Sequence, residues 1–173
     1  MLLAPGENHL ARHAGLRSTL RAASLDALIV TSLPNIAYLT GLFASTAALV
    51  IGDAELRLIV DARYLAMAEA RRDELPELSL TLVSAAGSFE DAIAEAASRY
   101  RPGRIGIEAS HMTVRQYRHL ETRLAPQGGA VTIQGTDGLV ENLRAVKDPW
   151  EIGRLREGAA RLSDAAKCII QKP

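Results

Sequence analysis

Along this chain, short apolar runs alternate with segments whose apolar residues recur at helical spacing, and such switching admits few architectures. In LDALIVTS, Leu28, Ile29 and Val30 form a continuous run, the pattern of a strand covered on both faces. Two further runs, TAALVIG and ELRLIVD, flank Gly52 and Asp53, the turn chemistry of a β-hairpin, so at least two strands are antiparallel neighbours. LSLTLVS alternates Leu78, Leu80 and Leu82 with Ser79 and Thr81, and RIGIEA and GAVTIQG each read as one more strand. About six strands interleaved with helices predict an α/β fold around a mixed sheet.

The helices carry their own signals. His9 to Ala23 sets Leu10, Leu16 and Leu20 among Arg and Ser, an amphipathic pattern. Pro34 can open a short helix through NIAYLTG, and Gly41 can stop it. Asp61 can cap a helix over ARYLAMAEARR. Ser88 opens another with Phe89, Ile93 and Tyr100, broken at Pro102 and Gly103. Thr113 and Gln116 have capping-box spacing for a helix carrying Val114, Tyr117 and Leu124. DGLVENLRAVK presents Leu139, Val140, Leu143 and Val146, and Asp148, Pro149 and Glu151 make a strong start for a last helix. That helix carries a stripe of Ile152, Leu155, Leu162 and Ile169, which is expected to pack on the sheet or on a partner.

Composition narrows the function classes. The chain has 173 residues, with 20 Lys plus Arg against 20 Asp plus Glu, and a formal charge of zero argues against a nucleic-acid binder. Its one cysteine, Cys168, rules out a disulfide framework and Cys-rich zinc modules, and on an apolar stripe it reads as a buried thiol. No apolar run approaches the roughly 20 residues needed to span a bilayer, and the N-terminus lacks the pattern of a secretory signal. A cytoplasmic location and no membrane partner are expected.

Complete catalytic motifs are missing from the pattern. His9 and His13 have the spacing of two ligands on one helix face, but no third ligand follows, so a solvated face is expected. His111 and His119 read as surface or boundary histidines, and Glu69, Asp73, Glu90, Asp91 and Glu121 as solvated acids. There is no Gly-x-Ser-x-Gly elbow and no phosphate-cradling loop. Two segments stand out: Tyr38 and Phe43 bracket the Gly41 stop, and Asp61, Arg63 and Tyr64 stand where a strand ends and a helix begins, a common docking position.

Three strings, in order and at matching separations, carry a family resemblance: LDALIVTSLPNIAYLTG, TAALVIGDAELRLIVDARY and LVENLRAVKDPWEIGRLREGAARLSDAA. From about residue 9 onward the chain resembles the N-terminal domain of the creatinase/prolidase family, metallopeptidases that include Xaa-Pro dipeptidases and aminopeptidase P. The resemblance implies a mixed six-stranded sheet flanked by helices, of ribonuclease H-like form, over residues 1–135. Residues 136–173 then resemble a linker and the first helix of a pita-bread catalytic domain that binds two divalent ions, Mn, Co or Zn, through Asp, His and Glu ligands. No metal ligand or catalytic residue is carried over onto this chain.

The resemblance further implies a non-catalytic domain of a proline-specific metallopeptidase that takes part in subunit contacts, with loops near a neighbouring subunit's active site. The expected partners are a C-terminal catalytic domain and further copies of the chain, as in a dimer. By motif match, Tyr38, Asp61, Arg63 and Tyr64 are the candidate substrate-site or subunit-contact residues. One departure is visible: relatives often read YLTGF, whereas here Leu42 follows Gly41 and the aromatic moves to Phe43. A stand-alone protein-interaction module of the same fold is the alternative.

Overall fold

The computed structural model describes residues 3–53, 55–83, 87–100, 103–125 and 131–170. Six strands form one sheet: β1 (Ala27–Val30), β2 (Ala47–Gly52), β3 (Leu56–Val60), β4 (Leu78–Leu82), β5 (Gly103–Glu108) and β6 (Val131–Thr136). Their spatial order is β4-β3-β2-β1-β5-β6. β2 runs antiparallel to both β1 and β3, while β3–β4, β1–β5 and β5–β6 are parallel pairs. The mixed six-stranded α/β architecture expected from the alternating periods is the one observed.

Among the described residues, seven α-helices complete the fold: α1 (Gly6–Ala22), α2 (Leu33–Thr40), α3 (Leu65–Glu69), α4 (Phe89–Ser98), α5 (Val114–Leu124), α6 (Leu139–Ala145) and α7 (Pro149–Ile170). Alternation along the strands sorts side chains into two cores. Leu28, Val30, Leu49, Ile51, Leu58 and Val60 point to the face covered by α1, α2 and α6, where they meet Leu16, Leu39 and Val140. Ala27, Ile29, Ala48, Val50, Ile105 and Ile107 point to the opposite face, under Ala94, Ala97, Leu120 and Leu124 of α4 and α5. The second face is rich in alanine on both sides, so α4 can lie close to the sheet. All of β1 is buried, because it is central and covered twice.

The hairpin differs in detail from its expected form. The Gly52 N–H donates to the Glu55 carbonyl at 3.0 Å, and Ile51 pairs with Leu56 across the ladder. Gly52 is therefore the last residue of β2, and its value is close approach: a Cβ there would overlap the Tyr100 ring. Gly41, by contrast, needs its freedom of φ, since it closes α2 at φ 70°.

Several helix boundaries also shift. α1 begins at Gly6, ahead of His9, and Leu10 faces solvent. The expected helix over residues 62–72 is a single 3-10 turn over Ala62–Tyr64 followed by the short α3. Ser88 caps α4 through the Asp91 N–H, and Thr113 with Gln116 closes the expected capping box on α5. Val114 and Val146, read as apolar contacts, are exposed, because Val114 opens α5 on its outer side and Val146 lies past the end of α6. The break at Pro102 and the first residues of GAVTIQG lie outside the described residues.

The largest difference is α7. It starts where Asp148, Pro149 and Glu151 indicate: Asp148 accepts from the Glu151 N–H at 2.8 Å, and Glu151 accepts in return from the Asp148 N–H at 3.1 Å. Beyond that turn it leaves the body of the domain, and among the described residues none of α7 is buried. Leu155, Leu162 and Ile169 are 61%, 73% and 74% exposed. Cys168, read as a buried thiol, is exposed near the end of the same unburied helix.

Candidate functional site

The register of the sheet places the C-terminal ends of β1, β3 and β5 on the same edge as the start of β2. α2 and α5, which follow β1 and β5, pack on opposite faces. The sheet therefore has a topological switch point between β1 and β5, the place where α/β sheets commonly open a crevice. A cleft of about 300 Å³ lies along this edge, lined by Thr31, Ser45, Thr46, Phe89, His111 and Gln116 among others.

Three of the four candidate residues meet on this edge. Asp61, directly after β3, accepts from the Arg63 backbone N–H at 2.9 Å and takes the Arg63 guanidinium on both oxygens, the shortest contact being 2.7 Å. The same guanidinium lies 5.3 Å from the centre of the Tyr64 ring. Tyr64 in turn shares a 2.8 Å hydroxyl hydrogen bond with Ser45, at the entry to β2. The contacts with Arg63 hold the Asp61 carboxyl below its usual range, and the Ser45 contacts lower the Tyr64 hydroxyl. The result is an oriented but exposed cation: the Arg63 side chain is 66% accessible.

Tyr38 lies apart, on α2 against α1. The Arg12 guanidinium sits 4.2 Å from its ring centre, and burial raises its hydroxyl above the usual tyrosine range.

His9 and His13 overturn the expectation of a solvated helix face. Both are buried, because α1 turns that face onto the C-terminus of α2. A helix leaves its last carbonyls without internal partners. Here Gly41 donates to Ala37, His9 Nδ1 and Arg12 donate to the Tyr38 carbonyl at 3.1 and 2.9 Å, His13 Nε2 donates to Leu39 at 2.6 Å, and Arg71 Nε donates to Thr40 at 2.9 Å. Two histidines and two arginines thus form a collar on the negative end of α2. Burial and the charges of Arg12 and Arg71 bring His9 down to about 4, so it is neutral. Burial likewise lowers His13, against its bonds to Leu39 and to Glu77, which lies 2.6 Å from Nδ1. Burial pushes the Glu77 carboxyl up, but Arg17 at 2.8 Å and His13 bring it below its usual range.

One polar centre escaped the sequence reading. Glu108, ending β5, is buried and accepts from the Thr31 and Ser32 backbone N–H groups, each at 2.7 Å, and from Asn35 Nδ2 at 2.6 Å. Asn35 passes the network on to Glu141 at 2.6 Å and to Arg144 at 2.9 Å, both on α6. A glutamate closing the apolar run RIGIE was the available signal, since a charge flush with a buried strand end needs partners.

The edge can present a fixed cation and hydroxyls. His111 reaches Thr31 Oγ1 only at 3.3 Å and is itself exposed. Among the described residues, no three His, Cys, Asp or Glu side chains are grouped so as to hold a metal ion. His119 and Arg123 both pair with Asp91, at 2.9 and 2.8 Å.

Residues 12–146 match the profile of the Creatinase/Prolidase N-terminal domain. The chain belongs to this family. As a creatinase/prolidase N-terminal domain it is 25% identical over 155 residues to the uncharacterized peptidase YqhT of Bacillus subtilis (strain 168), covering 90% of this chain and 41% of that protein. It thus spans about two fifths of the length of that relative. Among solved structures, it is similar to the N-terminal domain of the cytoplasmic peptidase PepQ from Mycobacterium tuberculosis H37Rv, with 27% identity, a TM-score of 0.65, and coverage of 78% of this chain and 98% of that one.

Two longer chains share the fold. An Xaa-Pro dipeptidase from Bacillus anthracis superposes with a TM-score of 0.73 at 22% identity, over 87% of this chain and 39% of its own. The X-prolyl aminopeptidase of Caenorhabditis elegans, a cytosolic enzyme with a di-nuclear active site, gives 0.67 at 20% identity, over 81% and 26%. Among the described residues of the creatinase/prolidase domain, no helix is long and apolar enough to cross a membrane.

Proposed function

We propose that this domain is the non-catalytic N-terminal part of a proline-specific metallopeptidase, an Xaa-Pro dipeptidase or aminopeptidase. Its work is to support subunit assembly, with a second copy as partner, and to shape the substrate site. The observation that carries the reading is the family match across residues 12–146. Hydrolysis then belongs to a separate domain holding two divalent ions, Mn, Co or Zn. The residues described here supply no ligand set for them.

Within that reading, the Asp61–Arg63–Tyr64 turn offers a guanidinium pre-oriented for a carboxylate. Asp61 and the Tyr64 ring fix its direction while its outer edge stays accessible. In a polypeptide carrying this domain ahead of its catalytic domain, Arg63→Ala is expected to lower kcat/KM on an Xaa-Pro dipeptide roughly tenfold, about 1.4 kcal/mol, mostly through KM. Arg63→Lys recovers part of the loss, because the charge stays while the planar fork goes. Steady-state kinetics with an unchanged kcat/KM for Arg63→Ala contradict the site-shaping role.

The exposed apolar residues of α7 favour one alternative, a stand-alone interaction module of the same fold. An open reading frame that continues into a metal-ligand-bearing domain excludes it.

A further inference from the structure

The ties that the structure gives α7 to the rest of the domain gather at its first turn, and they converge on one buried side chain. Arg12, on α1, is 8% exposed. Its guanidinium donates to Asp148, the N-cap of α7, at 2.8 Å, lies 3.6 Å from Glu151 in the first turn, donates to the Tyr38 carbonyl at 2.9 Å, and rests on the Tyr38 ring. Burial raises the Asp148 carboxyl, but the Glu151 N–H and Arg12 more than offset this and hold it below its usual range. Beside the ion pair is a cleft of about 340 Å³ bounded by His9, Tyr38, Phe43, Arg144 and Trp150.

Leverage makes this joint consequential. A 22-residue helix is about 33 Å long, so a rotation of ~10° at its first turn moves its far end by ~6 Å. With none of its described residues buried, α7 has little packing beyond its first turn to correct such a rotation. We propose that Arg12 is the positioning residue that locks the exit direction of α7 and ties that direction to Tyr38. The planar fork matters, because one group must serve a carboxylate, a carbonyl and a ring face in fixed relative directions. Whatever packs on the exposed face of α7 therefore meets Ile152, Leu155 and Leu162 at a set place relative to the sheet, and a ligand that moves Tyr38 moves α7. The inference concerns this chain alone and stands whether or not the peptidase reading does.

Spin labels on the native Cys168, near the far end of α7, and on Ser18→Cys, on the outer side of α1, give a direct reading. Labelled chain is diluted in excess unlabelled chain, so that only distances within one molecule count. A narrow single distance distribution is expected for the parent. Arg12→Met should at least double its width, and Arg12→Lys should fall between them. Asp148→Asn covers the case in which Arg12→Met fails to fold, since asparagine is as good an N-cap and only the charge pair is lost. It should broaden the distribution while leaving the thermal midpoint within about 2 °C, and should expose Trp150, the chain's one tryptophan, to acrylamide quenching. A distribution as narrow in Asp148→Asn as in the parent overturns the proposal, as does one already broad in the parent.

Discussion

Glu108→Gln is expected to destabilise the domain by about 4 kcal/mol, a large share of the roughly 5–15 kcal/mol that holds an ordinary domain together. Its carboxylate takes three short hydrogen bonds on two oxygens within a buried site, from Thr31 N–H, Ser32 N–H and Asn35 Nδ2, and a longer one from the Thr31 hydroxyl. A glutamine has one acceptor oxygen and must turn an NH₂ toward at least one of those donors. Each buried donor left unpaired costs about 1–3 kcal/mol, and each bond to a charged acceptor that is lost adds to it. The damage extends to α6, which reaches the sheet through Asn35. Glu141→Gln removes only the outer end of the network and is expected to cost less than about 1 kcal/mol. Urea midpoints of the two variants measure the difference, and a Glu108→Gln midpoint equal to the parent's would show that the network contributes nothing net.

His9 makes stability depend on pH. Folded, it titrates at about 4; unfolded, at the model-peptide value of 6.5. Between those two values the unfolded chain binds a proton that the folded chain does not, so stability rises with pH through that window. The contribution lost from this one side chain is about 2 kcal/mol between pH 7.5 and pH 5, and about 3 kcal/mol by the bottom of the window. His9→Gln has no titrating ring, so its stability should fall less on acidification, by that same ~2 kcal/mol at pH 5. Urea unfolding of both proteins at pH 7.5 and 5 checks this; parallel losses would place the histidine's proton elsewhere. His13, lowered in the same direction, remains in both proteins.

The fold was legible where local pattern and tertiary context agree. The all-apolar β1 run announced a doubly covered strand, and the Ser88, Thr113 and Asp148 caps marked helix starts that the structure keeps. His9 and His13 were misread because helical spacing says which residues share a face, and not what that face meets. Only the packing of α1 against the end of α2 turns three basic side chains into carbonyl partners, and Arg71 joins them from beyond α3. Glu108 was overlooked for a related reason, as its partners are 73 to 77 residues away in sequence. The grouping of Asp61, Arg63 and Tyr64 was visible in DARY because those contacts are local. Their link to Ser45 and the separation of Tyr38 were not, since both depend on how the strands are ordered.

Central to the account is a division of labour: this domain presents, supports and positions, while hydrolysis needs metal ligands that its described residues do not group together. The direct measurement is Xaa-Pro dipeptide hydrolysis by the purified 173-residue chain, supplied in turn with Mn²⁺, Co²⁺ and Zn²⁺. Turnover indistinguishable from the metal-only blank is the predicted result. Metal-dependent release of proline that co-purifies with the chain and scales with its concentration would contradict the account.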